Sequence, residues 1–396
     1  MSERIVGWIL FLLFSTSVGY EEENKYTDPN HVSDLCLADD GTDKNQCSKS
    51  GRNELTRLDG VEVGHTRLIT LDGDKPLHIS TLNMKPLIFE IKDFFTEAEC
   101  EHMINLAKKI GLESSITQQE SKGVNGIKIM DSNGDQKLDF TEMKITIEDN
   151  FDIYLDDADL RTIYADLGID PNKNDLVTKE EMSNVTPREM TEYMNYLVKT
   201  SPTKKSRFSE QAWIFPDNHK DKLLDKFKRR LKAILGIPPM LVDKHNAIQV
   251  VHYGQHGHYN AHQDSGSTNL PCCHLHKNTK CMICRYLTFM VYLNDVEEGG
   301  ETAFPVANNK TFNQRDFRHS GSTHLNSKCS EANLRLKPER GKAVLWYNHL
   351  INEETGWLGE LDDFTWHGGC PVTKGTKWIM NRWINASPDK EVDLQL

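Results

Sequence analysis

The chain has 396 residues, 37% of them hydrophobic and 27% charged, with a formal net charge of -12. This composition supports a packed core and excludes wholesale disorder, and the length suits about two folded units. The acidity argues against nucleic acid as a partner, because a phosphate backbone wants a basic surface, and it agrees with a segment that takes up cations.

In residues 1–20, Arg4 precedes an apolar run from Ile5 to Phe14, followed by mostly small residues from Ser15 to Gly19. The run matches the core of a secretory signal and falls short of a spanning helix, so it reads as a signal peptide or a signal-anchor. Either delivers the rest of the chain to the secretory lumen. There Asn184, Asn309 and Asn385, each in an Asn-X-Ser/Thr sequon, are candidate glycan acceptors. Nine cysteines fit the same oxidising compartment. CCHLHKNTKCMIC, from Cys272 to Cys284, reads as a disulfide-closed loop in preference to a zinc site, with pairing left open. Residues 21–60 are polar and read as a tether.

The first firm elements are a strand over Leu87 to Ile91 and a helix opened by a Thr96/Glu99 capping box. Met103, Ile104, Ala107 and Ile110 give that helix its spacing, and Gly111 stops it. Two twelve-residue windows that match the calcium loop of an EF-hand then begin at Asp131 and Asp170. DSNGDQKLDFTE offers Asp131, Asn133, Asp135, the Lys137 carbonyl, Asp139 and Glu142. DPNKNDLVTKEE offers Asp170, Asn172, Asn174, the Leu176 carbonyl, Thr178 and Glu181. Oxygen ligands at these positions enclose a hard cation such as Ca2+, and Leu138 and Val177 are placed to pair the loops. Gln136 occupies the sixth position of the first loop, where glycine is usual.

Thr186, Pro187 and Glu189 open a further helix, and KLLDKFKRRLKAILG carries Leu224, Phe227, Leu231 and Ile234 on one face, with a basic face read as solvated. Beyond Ala247 the pattern turns to short β-branched and aromatic runs, AIQVVHY, CRYLTFMVYLN, KAVLWYN and TKWIMNRWI, which predict an antiparallel sandwich or barrel.

Within this half lies VVHYGQHGHYNAHQDSG. His262 and Asp264 are two apart, so on an extended strand they share one face. His367, in FTWHGGC, is the best third ligand, because two histidines and one carboxylate form the facial triad of non-haem iron oxygenases. Lys377, ten residues after His367, is placed to meet a distal carboxylate of a bound acid, and Trp383 falls on the same face of that strand.

DFFTEAEC, HYGQHGHYNAHQDS, CRYLTFMVYLNDVEEGGETAFP, LRLKPERGKAVLWYN and WHGGCPVTKGTKWIMNRWIN, in this order, resemble the 2-oxoglutarate-dependent prolyl 4-hydroxylases, and the calcium-loop insert looks like that of an endoplasmic-reticulum member. The resemblance implies an α+β fold: a double-stranded β-helix (jelly-roll) core with flanking helices and an inserted α-helical EF-hand pair. It implies Fe(II) on His262, Asp264 and His367, 2-oxoglutarate on Lys377 and Tyr253, and peptide contacts at Arg285 and Trp383. The expected reaction hydroxylates peptidyl proline at C4 with O2, yields succinate and CO2, uses ascorbate as reductant, and is open to calcium modulation.

The domain boundaries that follow are 1–20 signal or anchor, 21–60 tether, 61–118 first part of the catalytic domain, 119–185 EF-hand pair, 186–387 catalytic domain and 388–396 tail. The expected setting is the endoplasmic-reticulum lumen, soluble or membrane-anchored. Two other readings are a lumenal calcium-binding scaffold with an inactive oxygenase half, and an oxygenase that acts on another residue such as lysine. Lys377 favours proline, since lysyl hydroxylases resembling this family usually place arginine there. Zinc hydrolysis lacks its HExxH signature.

Overall fold

Strands form where alternate residues serve two different cores. The computed structural model describes residues 53–70, 75–115, 131–216, 220–244, 247–266, 272–273 and 281–395. In the strand Arg285–Tyr292, Leu287, Phe289 and Val291 pack with Phe94, Met103, Phe227 and Leu231 on one side, while Met290 and Tyr292 join Phe304 and Trp346 on the other. Each such Leu or Phe contributes about 1.5–3 kcal/mol by leaving water.

This strand is central in a nine-stranded sheet. The order is Thr66–Ile69, Leu77–Met84, Leu87–Ile91, Ala343–Tyr347, Arg285–Tyr292, Lys377–Asn385, Ile248–Tyr253, Glu210–Ile214 and Glu113–Ser114. A second sheet, of five strands, runs Leu334–Leu336, Thr302–Phe304, His367–Gly369, His258–His262 and Arg207–Phe208. The pairings in both are antiparallel. The two sheets enclose the core that contains Phe304 and Trp346, so the antiparallel architecture expected from the sequence is present.

The capping box at Thr96 opens the helix Glu97–Ile110, and that at Thr186 opens Pro187–Thr200. The helix Lys222–Leu235 buries its four expected apolar residues, and also Arg230 from the face read as solvated. Glu99 is the reason: Arg230 donates to its Oε2 at 3.2 Å and to the Phe94 carbonyl at 2.8 Å, so the buried cation is matched.

Between the sheets' first and later strands, the helices Phe140–Phe151, Asp157–Leu167 and Pro187–Thr200 share a separate core of Met143, Ile147, Leu160, Ile163, Tyr164, Met190 and Met194. Leu138 pairs with Val177 across a two-stranded ribbon, as expected. Residues 116–130, just ahead of Asp131, lie outside the described residues, as do residues 1–52 with the expected signal or anchor. No described helix is long and apolar enough to cross a membrane.

Two flanks differ from their reading. In the stretch read as a tether, Leu55 and Leu58 are buried in the main core, and the Leu58 amide donates to Tyr347 Oη at 2.9 Å. In the stretch read as a tail, Lys390–Leu394 is helical, and the buried Asp393 accepts from Trp357 Nε1 at 3.2 Å and pairs with Lys244 at 2.6 Å.

Candidate active site

Register brings the distant ligands together. The strand His367–Gly369 pairs with His258–His262 so that His367 stands opposite His262. Glycine at 368 is required for that approach, because a Cβ there would lie 2.4 Å from the Tyr259 carbonyl oxygen. His262 ends its strand, and Asp264 follows in a bend, which corrects the extended-strand placement of the pair. The bend turns the carboxylate back: Asp264 Oδ1 is 3.7 Å from His262 Nε2, and Oδ2 is 3.5 Å from His367 Nε2. One ligand atom from each of the three residues lies within 4.8 Å of the others.

Both imidazoles are oriented from behind. His262 Nδ1 faces the Asn260 carbonyl at 3.0 Å and His367 Nδ1 faces that of Thr365 at 2.8 Å, so each Nε2 is presented to the centre. Burial, then the neighbouring His367, pushes the His262 pKa well down, which keeps its lone pair available. For Asp264, burial pushes the pKa up, but His367, Arg285 and His262 outweigh it and hold the carboxyl ionised. Two imidazole nitrogens and a carboxylate suit a divalent transition metal.

The triad opens into a cavity of about 680 Å³. Lys377 lies inside it, 2% exposed and directly across the ladder from Tyr253. Its one hydrogen bond among the described residues is to Thr302 Oγ1 at 3.4 Å, and burial pushes its pKa down to about 7. Glu301 acts on it electrostatically, but no carboxylate among the described residues forms an ion pair with it, and a buried amine so placed beside three converging side chains suits an anionic ligand. Arg285 and Trp383 also line the cavity, and they touch each other, the guanidinium sitting 3.6 Å from the indole centroid. Trp383 does more than line it, since its Nε1 donates to Asp264 Oδ2 at 3.0 Å.

Sequence reasoning missed several residues here. Thr288 donates to Asp264 Oδ2 at 2.7 Å. Asn381, Gln249 and Gln211 form an amide row, with Asn381 Nδ2 3.2 Å from Gln249 Oε1 and Gln249 Nε2 2.6 Å from Gln211 Oε1. Polar residues at inward-facing alternate positions of apolar strands were the available signal. Asp152 and Tyr154, from the link between the helices Phe140–Phe151 and Asp157–Leu167 of the inserted module, form part of the cavity wall, and Ser206 Oγ donates to Asp152 Oδ2 at 2.6 Å.

The other candidate residues lie away from the cavity. Asp131 accepts from the Gly134 and Gln136 amides at 2.7 and 3.0 Å, Asn133 from Asp135 at 2.8 Å, and Asp135 from Lys137 at 2.9 Å. Glu142 folds back onto the Ser132 amide at 2.9 Å. In the second loop Asp170 accepts from Asp175 at 2.9 Å, Asn174 from Leu176 at 2.9 Å, and Asn172 Nδ2 donates to Glu181 Oε1 at 2.7 Å. Both loops thus curl their oxygens inward. Cys272 pairs with Cys284, Cys273 with Cys281, and Cys329 with Cys370, so the cysteine-rich loop closes by disulfides and Cys100 is the free thiol among the described residues. Asn184 is exposed and Asn309 half-buried, whereas Ser387 of the Asn385 sequon is buried.

The fold and site define a class. A family model described as the 2OG-Fe(II) oxygenase superfamily matches residues 248–385, the span that holds the three candidate ligands and Lys377. The transmembrane prolyl 4-hydroxylase of Homo sapiens is 34% identical over 356 residues, covering 85% of this chain and 70% of that protein, and its Mus musculus counterpart is 33% identical with the same coverage. The chain belongs to the prolyl 4-hydroxylase family. A crystal structure of a viral collagen prolyl hydroxylase from Paramecium Bursaria Chlorella virus-1 is 28% identical and covers 51% of this chain and 92% of its own, at a TM-score of 0.31.

Proposed function

We propose that His262, Asp264 and His367 hold Fe(II), that Lys377 and Tyr253 hold 2-oxoglutarate, and that the protein hydroxylates peptidyl proline at C4. The observation that carries this reading is the convergence of three ligand atoms within 4.8 Å in the same cavity as a buried ammonium that forms no ion pair among the described residues. When bound, the iron couples O2 and 2-oxoglutarate to substrate oxidation, with succinate and CO2 as co-products and ascorbate as the rescuing reductant.

The chain's own residues then position and protect. The carbonyls of Asn260 and Thr365 keep both histidines in the metal-binding tautomer. Lys377 pairs with the distal carboxylate of 2-oxoglutarate, which fixes that molecule's direction, and Tyr253, its cross-strand neighbour, adds a phenol hydroxyl. Arg285 and Trp383, stacked at the open side of the triad, flank the peptide and orient its proline ring. The two sheets constitute the double-stranded β-helix of this class.

Residues Asp131–Glu142 and Asp170–Glu181 form the proposed calcium loops, for which the paired Leu138 and Val177 and the inward-curled oxygens speak. The setting is the endoplasmic-reticulum lumen, which suits the three disulfides among the described residues, and the exposed Asn184 is the favoured glycan acceptor among the three sequons. Incubation of proline-bearing peptides with Fe(II), 2-oxoglutarate and ascorbate tests the whole reading. Succinate release coupled to a peptide mass gain of one oxygen is expected, and succinate release with equal modification of a lysine peptide would replace proline as the target.

A further inference from the structure

Asp264 is the one triad member outside a strand, so something else has to hold it. Its carboxylate Oδ2 accepts from Thr288 Oγ1 at 2.7 Å, and Thr288 Oγ1 in turn accepts from Asn348 Nδ2 at 2.9 Å. Thr288 has a single hydroxyl proton, and the Asn348 amide, by donating, leaves that proton for Asp264. The next residue in the chain, His349, reaches the same bend by another route. Its Nε2 lies 2.6 Å from Ser265 Oγ, which accepts from the Arg285 amide at 3.0 Å. Its Nδ1 is fixed 3.0 Å from the Gly359 carbonyl in the strand Trp357–Leu361. Asn348, His349 and Thr288 are at most 3% exposed and Ser265 8%, so these bonds are shielded from competing water.

We infer that Asn348 and His349 are positioning residues of the metal site. Adjacent in sequence, they add two arms to the direct Trp383 Nε1 bond on Asp264: Asn348 helps set the carboxylate's rotation through Thr288, and His349, together with the Ile283 carbonyl that also bonds Ser265 Oγ, sets the backbone of the bend. The inference rests on the triad proposed above. It explains why two polar residues interrupt the run AVLWY at the point where the strand Ala343–Tyr347 gives way to His349–Asn352.

The test uses Co(II) titration of the full chain, followed by its d–d absorption, with thermal melting alongside. His262→Ala is the control, because cobalt binding that survives it unchanged would remove the triad reading itself. Given that control, Asn348→Ala and Thr288→Val each weaken cobalt binding about tenfold, the size usual for partners behind a ligand. Their double variant is no weaker than either alone, since both cut one arm. His349→Gln, which keeps a polar atom near Ser265, binds better than His349→Leu. Variants that melt earlier yet bind cobalt with unchanged affinity and spectrum would overturn the inference, as would additive losses in the Asn348/Thr288 pair. Should Asn348→Ala fail to fold, the isosteric Thr288→Val and the His349 pair still decide it.

Discussion

The cavity and the inserted loops both gather oxygen or nitrogen ligands, but by opposite means. In the loops the candidate ligands fall within twelve residues of one another, and the loop's own amides turn them inward, as the Gly134 and Gln136 amides do for Asp131. In the cavity the candidate ligands come from residues 262, 264 and 367, and only strand register and buried partners bring them together. A local site forms once its turn forms. A site assembled across sheets is only as good as the packing behind it, so it concentrates the larger effects of mutation.

The largest expected effect therefore lies in the triad. His262→Ala or Asp264→Ala abolishes succinate formation and cobalt binding, measured by succinate assay and calorimetry, and Asp264→Ala also lowers the melting temperature, because Thr288 and Trp383 lose their acceptor. Lys377→Ala comes next. Removing one partner of a buried ion pair costs about 3 kcal/mol, roughly a hundredfold in 2-oxoglutarate affinity, while the metal site stays intact. Calorimetric titration with 2-oxoglutarate on the cobalt-loaded protein checks it, and unchanged affinity would remove Lys377 from the site.

A pH effect follows in size. Burial brings the Lys377 pKa down to about 7 in the free protein, so above that pH the amine is increasingly neutral. A carboxylate ligand needs the ammonium, so binding takes up a proton there, and 2-oxoglutarate affinity falls by up to about tenfold per pH unit above 7. Below pH 7 this dependence vanishes. Titrations in buffers of different ionisation heat count the proton directly, and no uptake at pH 8 would mean that another group neutralises the ligand.

The same contrast governs what was legible in the sequence. Capping boxes at Thr96 and Thr186, the period-two strands and the pairing of Leu138 with Val177 were readable because each is written in a short window. His262 and Asp264 were suggested by a spacing of two and Lys377 by its place ten residues after His367, whereas His367 itself came from ligand chemistry and the family resemblance, since nothing local states that His367 stands opposite His262. Thr288 and Asn348 were missed because one buried polar residue in an apolar strand looks like tolerance until its partner is known. Asp152 and Tyr154 entered the cavity wall only through the docking of the insert, which no periodicity encodes. Leu55 and Leu58 escaped notice in a polar stretch too short to show a pattern.

The smallest effect probes the loops. Gln136 and Asp175 occupy the sixth positions of the two loops, and both take left-handed backbone, with φ of 63° and 61°. A side chain there costs about 1 kcal/mol relative to glycine, although glycine loses part of that gain to its freer unfolded chain. Among the described residues Gln136 has no side-chain partner to forfeit, and its amide bond to Asp131 survives substitution. Asp175 instead holds Arg161, at 2.9 and 3.3 Å, so glycine there gives up a surface pair as it relieves the backbone. Calcium titration monitored by melting temperature should show Gln136→Gly tightening the first loop by up to about fivefold and raising the melting temperature by a degree or two, with Asp175→Gly gaining less. A larger gain at Asp175 would mean that its pair with Arg161 opposes calcium binding, and that the second loop, not the first, is the strained one.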